Sequence, residues 1–390
     1  MTGRASALSL AGLALVLIFP SLSFFQKYLG YSGLIVYTIC AGLLILYGLP
    51  RLSIFFRVHL SPHGAGILLA IAFLFLFVIF LLVYPWADAG GFYGGSDNDD
   101  ALDLAASELL AGQYPYAIRT YYGNPVSPLP GAVLLAAPFV LLGASAYQNF
   151  FWLGVLLLVL CLAWKGSLQP LLFLGAVFIL SPSALNALLN GTDYLANGLY
   201  TLLPCIGLLV LASVKKFRPG WMLFLAGFLG IALSSRFNFL FILPVLFAAL
   251  VQRCGWRWAT GCLGMTLVVF CAVTLPFYFY DPVGFSPLHT LTIYGDPASG
   301  FPLRGFIVAA LTGLLSLILA FHKSSGLRDF LRHATWILAL PVFAGVIISS
   351  LLQNRLNLVY TYFGLFFIFF GTLAYWPESF HPPFTSVQNH

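Results

Sequence analysis

Residues 96–130 read SDNDDALDLAASELLAGQYPYAIRTYYGNPVSPLP, and the fold turns on how that stretch is understood. The whole chain holds eleven acidic residues, and five of them, Asp97, Asp99, Asp100, Asp103 and Glu108, stand together here. The sequence on either side is almost unbroken hydrocarbon. A carboxylate at a bilayer centre costs about 3 kcal/mol or more, so acids gathered in so apolar a chain belong at a wet edge of the membrane. Ala105, Ala106, Leu109 and Leu110 recur at helical spacing, with Glu108 on another side and Gly112 as a stop. The pattern predicts a short helix lying along the interface, preceded by an acidic lead-in.

Composition sets the class around this stretch. Of 390 residues, 61% are hydrophobic and 7% charged, against about 25% charged in soluble domains. The apolar runs are continuous and about one bilayer long, which predicts an all-α polytopic membrane protein and argues against the short alternating segments of a β-barrel. The net charge of +6 comes from scattered Lys and Arg near helix ends, and no basic run points to nucleic acid. The six cysteines form no CxxC pair and the seven histidines no ligand spacing, so both read as structural.

Apolar segments fall at 7–25, 32–49, 64–84, 128–143, 147–164, 170–186, 195–213, 220–234, 237–251, 259–279, 304–321, 334–351 and 358–376. The first follows Arg4 and reads as an uncleaved first helix. Basic links around Arg51 and Arg57, Lys215-Lys216-Phe217-Arg218, Arg253 to Arg257 and Lys323 to Arg332 go to the cytoplasm by the positive-inside rule. The acidic loop, 86–127, and a second loop, 281–303, then lie outside. If Asp193 is outside as well, one of the three segments before it does not cross, and the interruption from Lys165 to Pro170 suggests a kinked or re-entrant piece. The expectation is one transmembrane domain over 1–390 with about twelve crossings. No internal repeat is evident, which weakens an inverted-repeat transporter reading.

The acidic stretch admits several chemistries. One carboxylate can serve as a general base toward a hydroxyl or amine. Asp97-Asn98-Asp99 presents hard oxygen ligands to a divalent cation such as Mg or Mn. The acids can also bind a cationic substrate, or simply form a solvated loop.

The succession Asp97, Ala105-Ala106, Leu109-Leu110-Ala111-Gly112, Tyr114-Pro115-Tyr116, Tyr122-x-Asn124-Pro125 and Pro128-Leu129-Pro130 ahead of a membrane segment resembles the first external loop of the GT-C glycosyltransferases. It is nearest to the bacterial polyprenyl-phosphate-sugar-dependent mannosyltransferases and their kin. The resemblance runs over about 64–245, through Ser181-Pro182, Gly191-Thr192-Asp193 and Arg236. It implies a GT-C-like helix bundle with a juxtamembrane helix in the external loop. It further implies an inverting hexosyltransferase that takes a sugar from a polyprenyl-phosphate donor to a glycan, lipid or protein acceptor outside a bacterial inner membrane.

Carried over by position, Asp97 matches the catalytic base, with Asp99 and Asp100 close enough to compete for the role. Glu108 matches a second acid on the same helix. Asp193 matches a further active-site acid, although Gly191-Thr192 departs from the commoner Gly-Gln. Arg236 falls where the family has a basic residue near the external face, where a guanidinium can hold phosphate oxygens bidentately or simply snorkel to headgroups. Arg119, Arg304 and Arg355 are other external cations suited to the phosphate. Tyr121 and Tyr122 can stack on sugar or belong to the aromatic belt. His289, in the second loop, reads as substrate contact or as a structural residue. A transporter or flippase of lipid-linked sugars is the alternative from another class, and an inactive scaffold subunit is a third.

Overall fold

The computed structural model describes residues 7–59, 61–89, 97–164, 167–214, 218–288, 304–322 and 326–377. Among them the chain is helical, with no strand and one isolated bridge, Arg119 to Pro125. Six helical stretches are long and apolar enough to cross a membrane, or seven if one sharply bent pair counts as a span. Two of the six, Ala7–Phe55 with 49 residues and Phe237–Tyr280 with 44, exceed a single crossing. At 1.5 Å per residue they are roughly 65–75 Å of helix against about 30 Å of hydrocarbon. Each is broken at a glycine in the left-handed region, Gly30 (φ 65°) and Gly255 (φ 79°). The second break falls between Arg253 and Arg257, where the sequence places a charged link.

The chain divides into two compact units. The first comprises Met1–Gly95, Phe150–Asn190 and Val342–His390. Its helix Pro62–Asp88 has an apolar window only 11% buried; Leu74, Phe75 and Leu82 point outward, as lipid-facing residues do. Its bent pair is Gln169–Leu180 and Pro182–Leu189, which meet at 92°. The sequence places the kinked piece at residues 165–170, whereas the bend is at Ser181. Pro182 disfavours the helical conformation for the residue before it, and Ser181 sits at φ −124°, ψ 84°. The backbone groups freed by the bend are satisfied inside the unit. Tyr37 Oη donates to Leu180 O (2.7 Å), and Ser183 N donates to Ser21 Oγ (3.0 Å), which also meets Ser181 Oγ (3.2 Å).

The second unit comprises Ser96–Asn149 and Gly191–Pro341. Its central helix is Tyr194–Ala212, with 78% of its apolar window buried. The helix expected in the acidic loop is present as Asn98–Leu110, followed by Gly112 at φ 74°. Its Leu102, Ala105 and Ala106 are buried in one cluster with Tyr116, Val126, Leu129, Val133 and Phe285. The small alanines let this helix lie close to Pro130–Val140, so the loop helix is clamped to the bundle.

The first turn of Pro130–Val140 docks on Ser234 and Ser235. Leu129 N donates to Ser235 O (3.1 Å), Gly131 N to Ser234 Oγ (3.1 Å) and Ala132 N to Ser234 O (3.2 Å). Pro130 has no N–H, so the donors that a helix N-terminus leaves unpaired are consumed by this contact. Gly131 makes the approach possible, because a Cβ there would run into the carbonyl oxygens of Ile231 and Ser234. We therefore expect Gly131→Ala to destabilise the protein by about 1–3 kcal/mol through overpacking. Thermal unfolding of detergent-purified protein checks this, and an unchanged midpoint contradicts the docking.

Candidate functional site

Asp97 occupies the N-cap position of Asn98–Leu110, yet its side chain makes no cap hydrogen bond. The carboxylate turns instead to the loop that follows the helix. Thr120 Oγ1 donates to Asp97 Oδ2 at 2.6 Å, and Asn124 Nδ2 donates to the same oxygen at 2.8 Å. These two residues close a tight turn: Gly123 N donates to Thr120 O (2.8 Å), Thr120 N to Asn124 O (2.9 Å) and Asn124 N to Thr120 Oγ1 (3.2 Å). Gly123 supplies the positive φ of 78° that the turn requires. Arg119 is exposed and donates from Nη1 to Gly123 O (3.0 Å). Asp97 is half-buried, and its Oδ1 has no hydrogen-bond partner among the described residues. Among the described residues, one oxygen is thus fixed by two donors while the other accepts no hydrogen bond.

The neighbouring acids differ. Asp99 is 2% exposed, and Asp100 shares the first helical turn with it, where the helix dipole favours negative charge. Asp103 Oδ1 accepts from Ser145 N (2.6 Å). Glu108 is partly buried farther along the same helix. No group of three or more His, Cys, Asp or Glu converges on a common point among the described residues, so the Asp97-Asn98-Asp99 sequence is not gathered into a metal-binding cluster there.

Asp193 and Arg236 form a pair. Arg236 Nη2 lies 2.9 Å from Asp193 Oδ2, with the arginine side chain 16% exposed and the aspartate fully buried. Asn197 Nδ2 donates to the same oxygen (2.9 Å), and Tyr200 Oη donates to Asn197 Oδ1. Asp193 Oδ1 is buried with no hydrogen-bond partner among the described residues. The turn carrying Asp193 is held by Asn149, whose Nδ2 donates to Thr192 O (3.0 Å) and whose Oδ1 accepts from Ala196 N (3.1 Å). Arg236 also lies over the Tyr194 ring, 5.5 Å from its centroid, a cation–π distance. Its Nη1 donates to Ser127 Oγ at 3.3 Å. Burial works to lower the Arg236 pKa, and Asp193 together with the Tyr194 and Tyr200 phenols more than offsets it, so the guanidinium stays charged.

The two halves of the site are joined by the chain. Ser127, on Arg236, is three residues from Asn124, on Asp97; three extended residues cover at most about 11 Å. Docking of residues 129–132 on Ser234 and Ser235 brings Arg236, the next residue, to Ser127. Tyr121 and Tyr122 project from the turn, 58% and 53% exposed, with ring centroids 4.2 Å apart. The Tyr121 phenol is raised above its ordinary pKa, by desolvation first, then by its contact with Tyr122 and by the charges of Asp100 and Asp97.

Asp97, Arg119, Tyr122, Asp193 and Arg236 therefore share the second unit with Asp99, Asp100 and Glu108. Arg355 belongs to the first unit, exposed, with Nε donating to Gln353 Oε1 (3.2 Å). His289 and most of the second loop lie outside the described residues. Sequence reasoning did not single out Thr120, Asn124 and Ser127 as partners of the charged groups, nor Asn149 and Asn197. Asparagines inside so apolar a chain are the one signal that pointed to the last two.

No family model, curated protein or solved structure matches the chain.

Removing one member of a buried ion pair strands the other, at about 3–5 kcal/mol. Asp193→Ala is expected to destabilise the protein by that order, and Asp193→Ala with Arg236→Met by less than Asp193→Ala alone. Denaturant unfolding of the single and double variants measures the coupling, and simple additivity would contradict the pairing.

Proposed function

We propose that this chain is a membrane-embedded inverting glycosyltransferase of GT-C type, moving a sugar from a polyprenyl-phosphate donor to an acceptor hydroxyl at the extracytoplasmic face. The observation that carries the reading is the carboxylate of Asp97: Oδ2 is held by Thr120 and Asn124, Oδ1 accepts no hydrogen bond among the described residues, and Ser127, three residues past that turn, contacts Arg236. The loop resemblance gives that geometry its chemical meaning. In the transfer, the acceptor oxygen forms a bond to the anomeric carbon as the bond from that carbon to the phosphate oxygen breaks. The acceptor proton passes to Asp97 Oδ1, and the bonding pair leaves with the lipid phosphate. Arg236 is suited to receive that charge, since Asp193 and Ser127 hold its guanidinium in place. Attack opposite the leaving group inverts the anomeric centre.

The membrane arrangement belongs to the same proposal. About twelve crossings result when the stretches broken at Gly30 and Gly255 each count twice, the three shorter apolar helices and the C-terminal Val359–Phe366 and Ile368–Tyr375 pieces also cross, and the bent pair is re-entrant. The basic links then face the cytoplasm of a bacterial inner membrane.

A transfer assay in liposomes with radiolabelled polyprenyl-phosphate sugars and native lipid extract tests the proposal. Asp97→Asn is expected to lower the rate by about 10²–10⁴-fold, the usual contribution of a general base, while Asp99→Asn and Asp100→Asn stay within roughly tenfold of the unaltered protein. Loss of transfer on chelation would recast the acids as metal ligands. Labelled lipid that changes leaflet with no sugar transferred would replace the transferase with a flippase.

A further inference from the structure

The turn beside Asp97 has a composition that its fold does not explain. Thr120 to Gly123 is a four-residue turn closed by Gly123 N donating to Thr120 O (2.8 Å), and its two central residues are Tyr121 and Tyr122. Such positions normally hold Gly, Pro, Asn, Asp or Ser, which fit the turn or bind their own backbone. Here two large rings stand more than half exposed, 4.2 Å apart and tilted 41° to each other. A local rule broken without benefit to packing is a mark of a functional position.

The second observation is mechanical. The residues on either side of the tyrosine pair, Thr120 and Asn124, are the two that hold Asp97 Oδ2. The turn that carries the aromatic surface is therefore hydrogen-bonded to the carboxylate at both ends. Belt tyrosines set an amphipathic ring at the headgroup level with the hydroxyl toward water, a role that needs no such link.

We propose that Tyr121 and Tyr122 form the acceptor platform and that the acceptor is a carbohydrate. A pyranose has an apolar C–H face that stacks on an aromatic ring and a rim of hydroxyls. Laid on this pair, it presents one rim hydroxyl to Asp97 Oδ1. The exposed Arg119 and Asn124 flank the rings and suit the remaining hydroxyls. This inference rests on the transferase reading for the role of Asp97, and adds to it the class of the acceptor.

The test is saturation-transfer NMR on the full chain in nanodiscs, with a mannose disaccharide, cellobiose, a Gly-Ser-Gly peptide and short-chain phosphatidylglycerol as probes. Transfer is assayed on the same preparations. Ring-proton signals from a disaccharide are expected, weakened at least tenfold by Tyr121→Ala with Tyr122→Ala and kept by the two Phe variants. Because the rings are exposed, the Ala variants should keep the unaltered protein's thermal midpoint; the Phe variants keep the test valid if they do not. Absence of a saccharide signal, or a signal indifferent to the Ala pair, overturns the platform. So does transfer to a peptide or lipid acceptor that the Ala pair leaves unchanged, and that result spares the transferase reading. Saccharide binding that depends on the tyrosines, with no transfer from any donor, sinks the transferase and spares the platform.

Discussion

The N-terminus of the helix Pro130–Val140, seated on Ser234 and Ser235, is the contact on which the site depends. Three backbone donors are satisfied at once, and Gly131 removes the side chain that would prevent it. The consequence reaches in both directions along the chain. Upstream lie Ser127, which meets Arg236, and the turn that holds Asp97; downstream, the residue after Ser235 is Arg236 itself. Two segments more than a hundred residues apart in sequence thus contribute opposite charges to one region. Ser234 Oγ also meets Thr274 Oγ1 (2.8 Å), which ties the contact into the longest helix of the unit.

Charge is scarce in this protein, and its placement follows from the cost of burial. Asp97 and Asp193 both precede helices, where the dipole favours an anion, and neither spends its carboxylate on capping. Their surroundings separate them. Asp193 is fully buried and paired with a guanidinium and an amide, an arrangement that holds Arg236 in position. Asp97 is half-exposed, held through one oxygen by neutral donors, an arrangement suited to taking a proton. The two acids that resemblance assigns to a single active site thus differ physically: one is paired with a cation, and the other is held through one oxygen at a half-exposed position.

Local features were legible in the sequence, and long-range pairings were not. Helical spacing from Ala105 to Leu110 with Gly112 behind it foretold Asn98–Leu110, because both signals act within a few residues. The charged link at Arg253 to Arg257 marked the break that Gly255 makes. The interruption at 165–170 drew attention away from Ser181, where the proline that follows forces the bend and Ser21 and Tyr37 stabilise it from elsewhere in the chain. Asp193 and Arg236 were each singled out, but their separation of 43 positions concealed that they bind each other. Thr120 and Asn124 read as ordinary turn residues, since nothing local tells that both donate to a carboxylate more than twenty positions back.

The central claim is that Asp97 and Arg236 address one substrate from two sides. Cryo-electron microscopy of the protein in nanodiscs with a phosphonate analogue of a polyprenyl-phosphate sugar tests it most directly. The account predicts the phosphonate oxygens on Arg236 and the anomeric carbon on the side of Asp97 Oδ1, with space for an acceptor oxygen between them. An analogue bound away from both residues, or a phosphonate on Arg355 with the Asp97 turn empty, would contradict it.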